Sequence, residues 1–176
     1  AGISNTSGSY NVFVGEGAGD ANDNGLSNVF IGRAAGNKNM FGDKNVFVGN
    51  AAGFSSTNTD NNIFIGDSSG YANSGGGRNV YIGVYTGRSN NYGSDNVFIG
   101  ESCGYNNTDG DVNVFMGHQA GYNNQTGNAN VFIGDSAGYI SSSSSGCVII
   151  GERAGRNNIA SRNILIGRNA GYAVTT

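Results

Sequence analysis

Short apolar triplets, each closed by a glycine, recur along the chain at a fixed interval. The first is Val12-Phe13-Val14 before Gly15; the next is Val29-Phe30-Ile31 before Gly32. An asparagine precedes nearly every triplet, so repeats are counted from Asn11, Asn28, Asn45, Asn62, Asn79, Asn96, Asn113, Asn130, Cys147 and Asn163. The step is 17 residues, except the last, which is 16. A second glycine follows at a constant offset, from Gly19 and Gly36 to Gly171. Gly2 lies 17 residues before Gly19, so residues 1–10 read as the tail of an earlier, partial coil. The chain is therefore expected to be a piece of a longer fibre whose caps lie elsewhere. Self-similarity at a fixed short period is the mark of a solenoid or an array.

Numbering the repeat in columns 1 to 17 from the asparagine exposes its grammar. Column 1 is Asn in nine of ten copies, and column 2 is always Val or Ile. Column 3 is Phe or Tyr in eight copies, then Ile149 and Leu165; column 4 is Val, Ile or Met116. Columns 5 and 9 are always Gly, column 8 is small, and column 15 is usually Gly. A β-branched and aromatic run stopped by glycine predicts a strand over columns 1–4. The repeat is too short for a helix and a strand with their loops. It fits one coil of an all-β, parallel β-solenoid, or β-roll, forming a single domain over residues 1–176. Coils stacked at the inter-strand spacing of about 4.8 Å would make a rod of roughly 45–50 Å. Asn11, Asn28, Asn45, Asn62, Asn79, Asn96, Asn113 and Asn130 would then lie in register, as a ladder of hydrogen-bonding amides.

Side chains of a strand alternate faces, so columns 2 and 4 point one way and column 3 the other. Column 8 is small, which suggests a narrow coil filled by the aliphatic residues, among them Val29, Ile31, Val97, Ile99, Val131 and Ile133. On that reading Phe13, Phe30, Phe47, Phe64, Tyr81, Phe98, Phe115 and Phe132 form an outward stripe that serves as an oligomer interface. With the opposite orientation some twenty aliphatic residues face outward instead. Either way a continuous apolar stripe lies outside the coil, larger than a monomer normally exposes, and a partner chain is expected.

Composition narrows the function. The chain holds 32 glycines and 28 asparagines, about a third of its 176 residues, which disfavours helix. No run approaches the 18 apolar residues of a membrane span, so no membrane insertion is expected; no signal or transit peptide is visible. A formal net charge of −3 argues against a nucleic-acid partner. The single histidine, His118, falls in variable column 6, beside Glu16, Arg33, Asp67, Glu101, Asp135, Glu152 and Arg168 in other coils, and reads as part of a solvated edge. Arg168 is the expected partner of Glu152. Cys103 and Cys147 lie three coils apart, about 14 Å on the stacking distance, too far for a disulfide. Asp43, Asp60 and Asp111 share column 16 but lack the glycine-rich calcium-binding nonapeptide. No cofactor, metal or catalytic set is implied. Tyr71, Tyr105, Tyr122, Tyr139 and Tyr172 share column 10 and are the candidate ligand face, either stacking on sugars or packing the turn.

The pattern Asn-Val-Phe-Ile-Gly-x-x-Ala-Gly, with Ile-Gly-x-x-Ala recurring at 31–35, 133–137, 150–154 and 166–170, resembles the YadA-like head repeats of trimeric autotransporter adhesins. It is also similar to repeats in phage tail fibres and other bacterial fibre proteins. The resemblance spans residues 2–171. It implies a left-handed roll, a homotrimer about a common axis, and an extracellular setting on a cell surface or virion fibre. The implied role is that of a structural and adhesive rod mediating surface attachment, with surface glycan or extracellular matrix as partners, and not an enzyme. The 17-residue period is longer than the usual family repeat, and column 3 carries Phe where the family has a small residue. The competing reading is a monomeric solenoid that binds glycan, mineral or ice through a flat face.

Overall fold

The computed structural model describes residues 1–172. Among the described residues the only regular elements are ten three-residue strands: β1 (Val12–Val14), β2 (Val29–Ile31), β3 (Val46–Val48), β4 (Ile63–Ile65), β5 (Val80–Ile82), β6 (Val97–Ile99), β7 (Val114–Met116), β8 (Val131–Ile133), β9 (Val148–Ile150) and β10 (Ile164–Ile166). They form one parallel sheet in sequence order. Each strand pairs with the equivalent residues of the next coil, as Phe30 with Phe47. The fold is the expected β-solenoid. Its ladder continues beyond the strands: the turn after each second glycine also bonds coil to coil, as Gly36 N–H to the Ala52 carbonyl at 2.9 Å and Lys38 N–H to the Phe54 carbonyl at 3.0 Å. The 16-residue step is absorbed in the return segment. Asn158 closes its turn on the carbonyl of Ala160, two residues on, where Asn39 reaches three residues on to Gly42. β9 and β10 therefore keep full register.

The sheet face turns the other way from the favoured expectation. Phe30, Phe47, Phe64, Tyr81, Phe98, Phe115 and Phe132 are wholly buried and fill the coil, with the column 8 alanines beside them. Phe13, in the first full coil, packs partly buried against the same core. Val29, Ile31, Val97, Ile99, Val131 and Ile133 are not core residues; they sit on the outer face, part exposed. The reason is the glycine of column 9. A Cβ on Gly53 would fall 2.5 Å from the ring of Phe47, so a bare backbone across the coil leaves a slot for one flat ring. Rings of successive coils then stack nearly parallel, 4.7–5.3 Å apart. That offset geometry is favourable beyond the area it buries.

The asparagine ladder exists, but its rungs run mainly to backbone. Asn28 Oδ1 accepts the Asn45 backbone N–H at 2.9 Å, and Asn28 Nδ2 donates to the Gly42 carbonyl at 2.7 Å. The same pair of bonds recurs at the buried Asn45, Asn62, Asn79, Asn96, Asn113 and Asn130. One amide thus ties the strand to the return segment and to the next coil. Asn11 makes the same contacts at the first coil.

A second asparagine file, column 12, explains the glycine of column 15. Asn39 Oδ1 accepts the Gly42 N–H at 2.9 Å, and a Cβ on Gly42 would fall 2.4 Å from the Thr59 carbonyl of the next coil and 2.5 Å from that amide oxygen. Where the shorter Ser56 or Ser141 replaces the asparagine, column 15 holds Thr59 or Ser144 instead. The hydroxyls of Ser56 and Thr59 are buried without a hydrogen-bond partner. Ser56→Asn alone should destabilise the rod by roughly 1–3 kcal/mol through overpacking against Thr59. Thr59→Gly alone should cost about 0.5–1 kcal/mol. Together they should restore wild-type stability or better, a coupling that a double-mutant cycle in denaturant reads directly.

Candidate interaction face

Filling the coil with aromatic rings sends columns 2 and 4 outward on every strand. The result is two parallel files of Val and Ile, with Met116, running the length of the ten-stranded sheet. Ile31, Ile63, Ile65 and Ile82 are each 37–39% exposed. The face is about as long as the rod, and no side chain within it carries a charge. Its exposed area is on the order of 1,000 Å², beyond the few hundred typical of a monomer surface.

Two files of variable residues border it. On one side is column 6, after the Gly of column 5. Arg33 Nε lies 3.1 Å from Asn50 Oδ1, Asn50 Nδ2 lies 3.2 Å from Asp67 Oδ2, and His118 Nδ1 lies 3.1 Å from Asp135 Oδ2. The Ser136 hydroxyl, with His118, holds the Asp135 carboxyl below its usual range. Glu152 approaches its chain neighbour Arg153, at 3.9 Å, rather than the expected Arg168. On the other side is column 17, whose charged members are Lys44, Arg78, Asp95 and Arg162. Arg78 Nε lies 2.6 Å from Asp95 Oδ1, and the hydrogen bond from Arg78 lowers the Asp95 pKa.

The tyrosines of column 10 are stacked on one another, which removes the ring faces that a sugar would need. Tyr105, Tyr122 and Tyr139 lie 5.0–5.1 Å apart in near-parallel planes, and Phe54 stacks on Tyr71 at 5.1 Å. Arginines of the same column complete the file. Arg88 sits between Tyr71 and Tyr105, and Arg156 between Tyr139 and Tyr172, at 4.9–6.0 Å from the ring centres. The guanidinium plane replaces a ring at little cost, since both stack on an aromatic face. Arg88 and Arg156 were legible as members of column 10 and were missed because the column was read for aromatics alone. The row is mostly half-buried, and its members cover one another's ring faces.

Among the described residues no cavity opens, and no three metal-ligating side chains gather. Nor, among the described residues, is any helix long and apolar enough to cross a membrane. Both thiols are free and buried, and burial pushes the Cys103 thiol well above its ordinary range. Burial likewise raises the hydroxyl of Tyr81, whose oxygen accepts from Asn90 in the core. No family model, curated protein or solved structure matches the chain.

Two outcomes are expected. An acid whose folded pKa is raised stays protonated in the rod and ionises when unfolded, so it favours the fold below its unfolded pKa and erodes stability above it. Denaturant stability should therefore fall above about pH 8.5 through Cys103 and more steeply above about pH 10 through Tyr81, each adding roughly 1.4 kcal/mol per pH unit. Cys103→Ala, which restores the residue usual in column 8, should remove the first limb, and Tyr81→Phe should flatten the second. Separately, Tyr122→Ala should lower the melting temperature, at a cost of about 1–3 kcal/mol, because it breaks two ring contacts at once.

Proposed function

We propose that the chain is a structural and adhesive rod, a stiff segment of an extracellular fibre that works in association with copies of itself through its aliphatic sheet face. The observation that carries this reading is the unbroken aliphatic surface of columns 2 and 4 on all ten strands. An isolated chain would hold that surface in water along its whole length. At roughly 1,000 Å² per chain it exceeds the roughly 800 Å² per partner of a standard interface. The rod is also suited to bear load along its axis, since neighbouring coils are tied by backbone ladders, asparagine rungs and stacked rings together. Three parallel chains about a common axis, as the resemblance to adhesin head repeats implies, and two chains face to face are the two simplest closed ways of covering such a face.

Ile82→Lys together with Ile99→Lys should test the reading. Both side chains lie on the outer face of the middle strands, so the coil interior is untouched. Sedimentation should give a multiple of the chain mass for the wild-type rod and the single-chain mass for the variant, with the β circular-dichroism signal retained. A wild-type rod that is monomeric at tens of micromolar would overturn the proposal.

A further inference from the structure

We infer that two copies of this chain pair antiparallel, sheet face to sheet face, with the twofold axis crossing between β5 and β6. The inference rests on the self-association proposed above and takes it further, to number, direction and register.

The aliphatic files repeat in every coil, so they cannot distinguish one arrangement from another. The bordering files can, because they do not repeat. Two sheet faces can be closed on each other by a twofold axis across the rods, or by a twofold or threefold axis along them. An axis across the rods sets column 6 against column 6 of the partner and column 17 against column 17, with the coil order reversed. An axis along the rods sets column 6 after each strand against the column 17 residue that directly precedes the same strand in its neighbour, as Glu101 and Asp95 flank β6.

The charges discriminate between these. In the antiparallel pair, Glu16 faces Arg168 of the other copy, Arg33 faces Glu152, and Asp67 faces His118. On the other border Arg78 faces Asp95, so the intrachain pair at 2.6 Å and its symmetry mate form one four-charge group at the twofold axis. No like charges oppose each other. In the parallel arrangements, dimer or trimer, Glu101 faces Asp95 and Arg168 faces Arg162, and no opposite charges meet. Sliding the antiparallel pair by one coil also fails. One direction sets Glu16 against Glu152 and Asp67 against Glu101; the other sets Arg33 against Arg168 and Asp67 against Asp135. Only the full-overlap antiparallel register is complementary on both borders. Rim charges of this kind add little affinity but select among partners and orientations.

Arg33 and Glu152 are seven strands apart in one chain, so within a monomer they cannot meet. Arg33→Glu and Glu152→Arg should each weaken self-association about tenfold at low salt, measured by sedimentation, and the double variant should recover to within about twofold. Direction is read by a spin label at Glu16→Cys, in a Cys103→Ala, Cys147→Asn background that restores the common repeat residues. Antiparallel rods place the two labels at opposite ends, about 43 Å apart at the inter-strand spacing; parallel rods place them within about 25 Å. A two-chain mass with the long distance and charge-swap recovery supports the inference. A two- or three-chain mass with the short distance, or a double variant that stays weak, overturns it and leaves self-association standing. A single-chain mass overturns the self-association on which it rests.

Discussion

The structure depends on an aromatic ring lying flat against a glycine in eight of its ten coils. Phe47 occupies the slot opposite Gly53, where any Cβ would collide with it at 2.5 Å, and the same contact recurs up the rod. The ring fixes the width of the coil, which is why column 8 must be small and column 9 bare. It also fixes which way the strand faces. Once column 3 points inward, the pleat sends columns 2 and 4 outward, and the aliphatic surface follows without further choice. The stack then makes each coil a template for the next: a ring of one coil sits about 4.8 Å from its neighbour, which is also the spacing of the backbone ladder. Where the ring is lost, as at Ile149, the aliphatic Cδ1 takes over the contact with Gly155 and the coil still closes.

The repeat, the strand positions and the parallel sheet were legible because they are matters of period, and period survives any uncertainty about packing. The asparagine file was legible for the same reason. What the period does not carry is the sign of the pleat. Val29 and Ile31 were placed inside on the argument that small residues in column 8 mean a narrow coil. That premise was sound. The slot is narrow in only one dimension, and a flat ring suits it better than two branched side chains. The signal was the invariant glycine of column 9, whose bare backbone is the packing surface for the ring. Column 10 raises a different point. Tyr105, Tyr122 and Tyr139 do share a surface row, but residues in register on a 4.8 Å stack cover each other's faces, so regular spacing argues against a sugar platform rather than for one.

Asparagine does work here that other polar residues cannot. Column 1 needs an acceptor for the next coil's N–H and a donor for a carbonyl across the coil, on one short planar side chain; Asn28 supplies both. A carboxylate would lack the donor, and a glutamine would be one methylene too long for the buried space. Cys147 takes the column 1 position once. Its N–H still completes the rung from Asn130, while its thiol makes only weak contacts at 3.4–3.8 Å. Column 12 uses the same chemistry to close a turn, and there the dependence on the glycine of column 15 shows how tightly the columns constrain each other.

A solenoid built of near-identical coils has a problem that ordinary domains do not. Its apolar face looks the same after a slip of one coil, so burying that face against a copy gives almost the same gain in many registers and in both directions. Losing one coil of overlap in ten removes only about a tenth of the contact. Hydrophobic burial alone would therefore yield a mixture of staggered assemblies, the lateral counterpart of register slippage in featureless strands. Specificity has to come from positions that break the repeat and lie close enough to a partner to be felt. In the proposed pair columns 6 and 17 would meet both conditions: they border the face, they are largely exposed, and they hold 11 of the 21 residues counted as Lys, Arg, Asp or Glu. Charges that would add little to the stability of a single rod would, at those borders of the proposed pair, tell one register from the next.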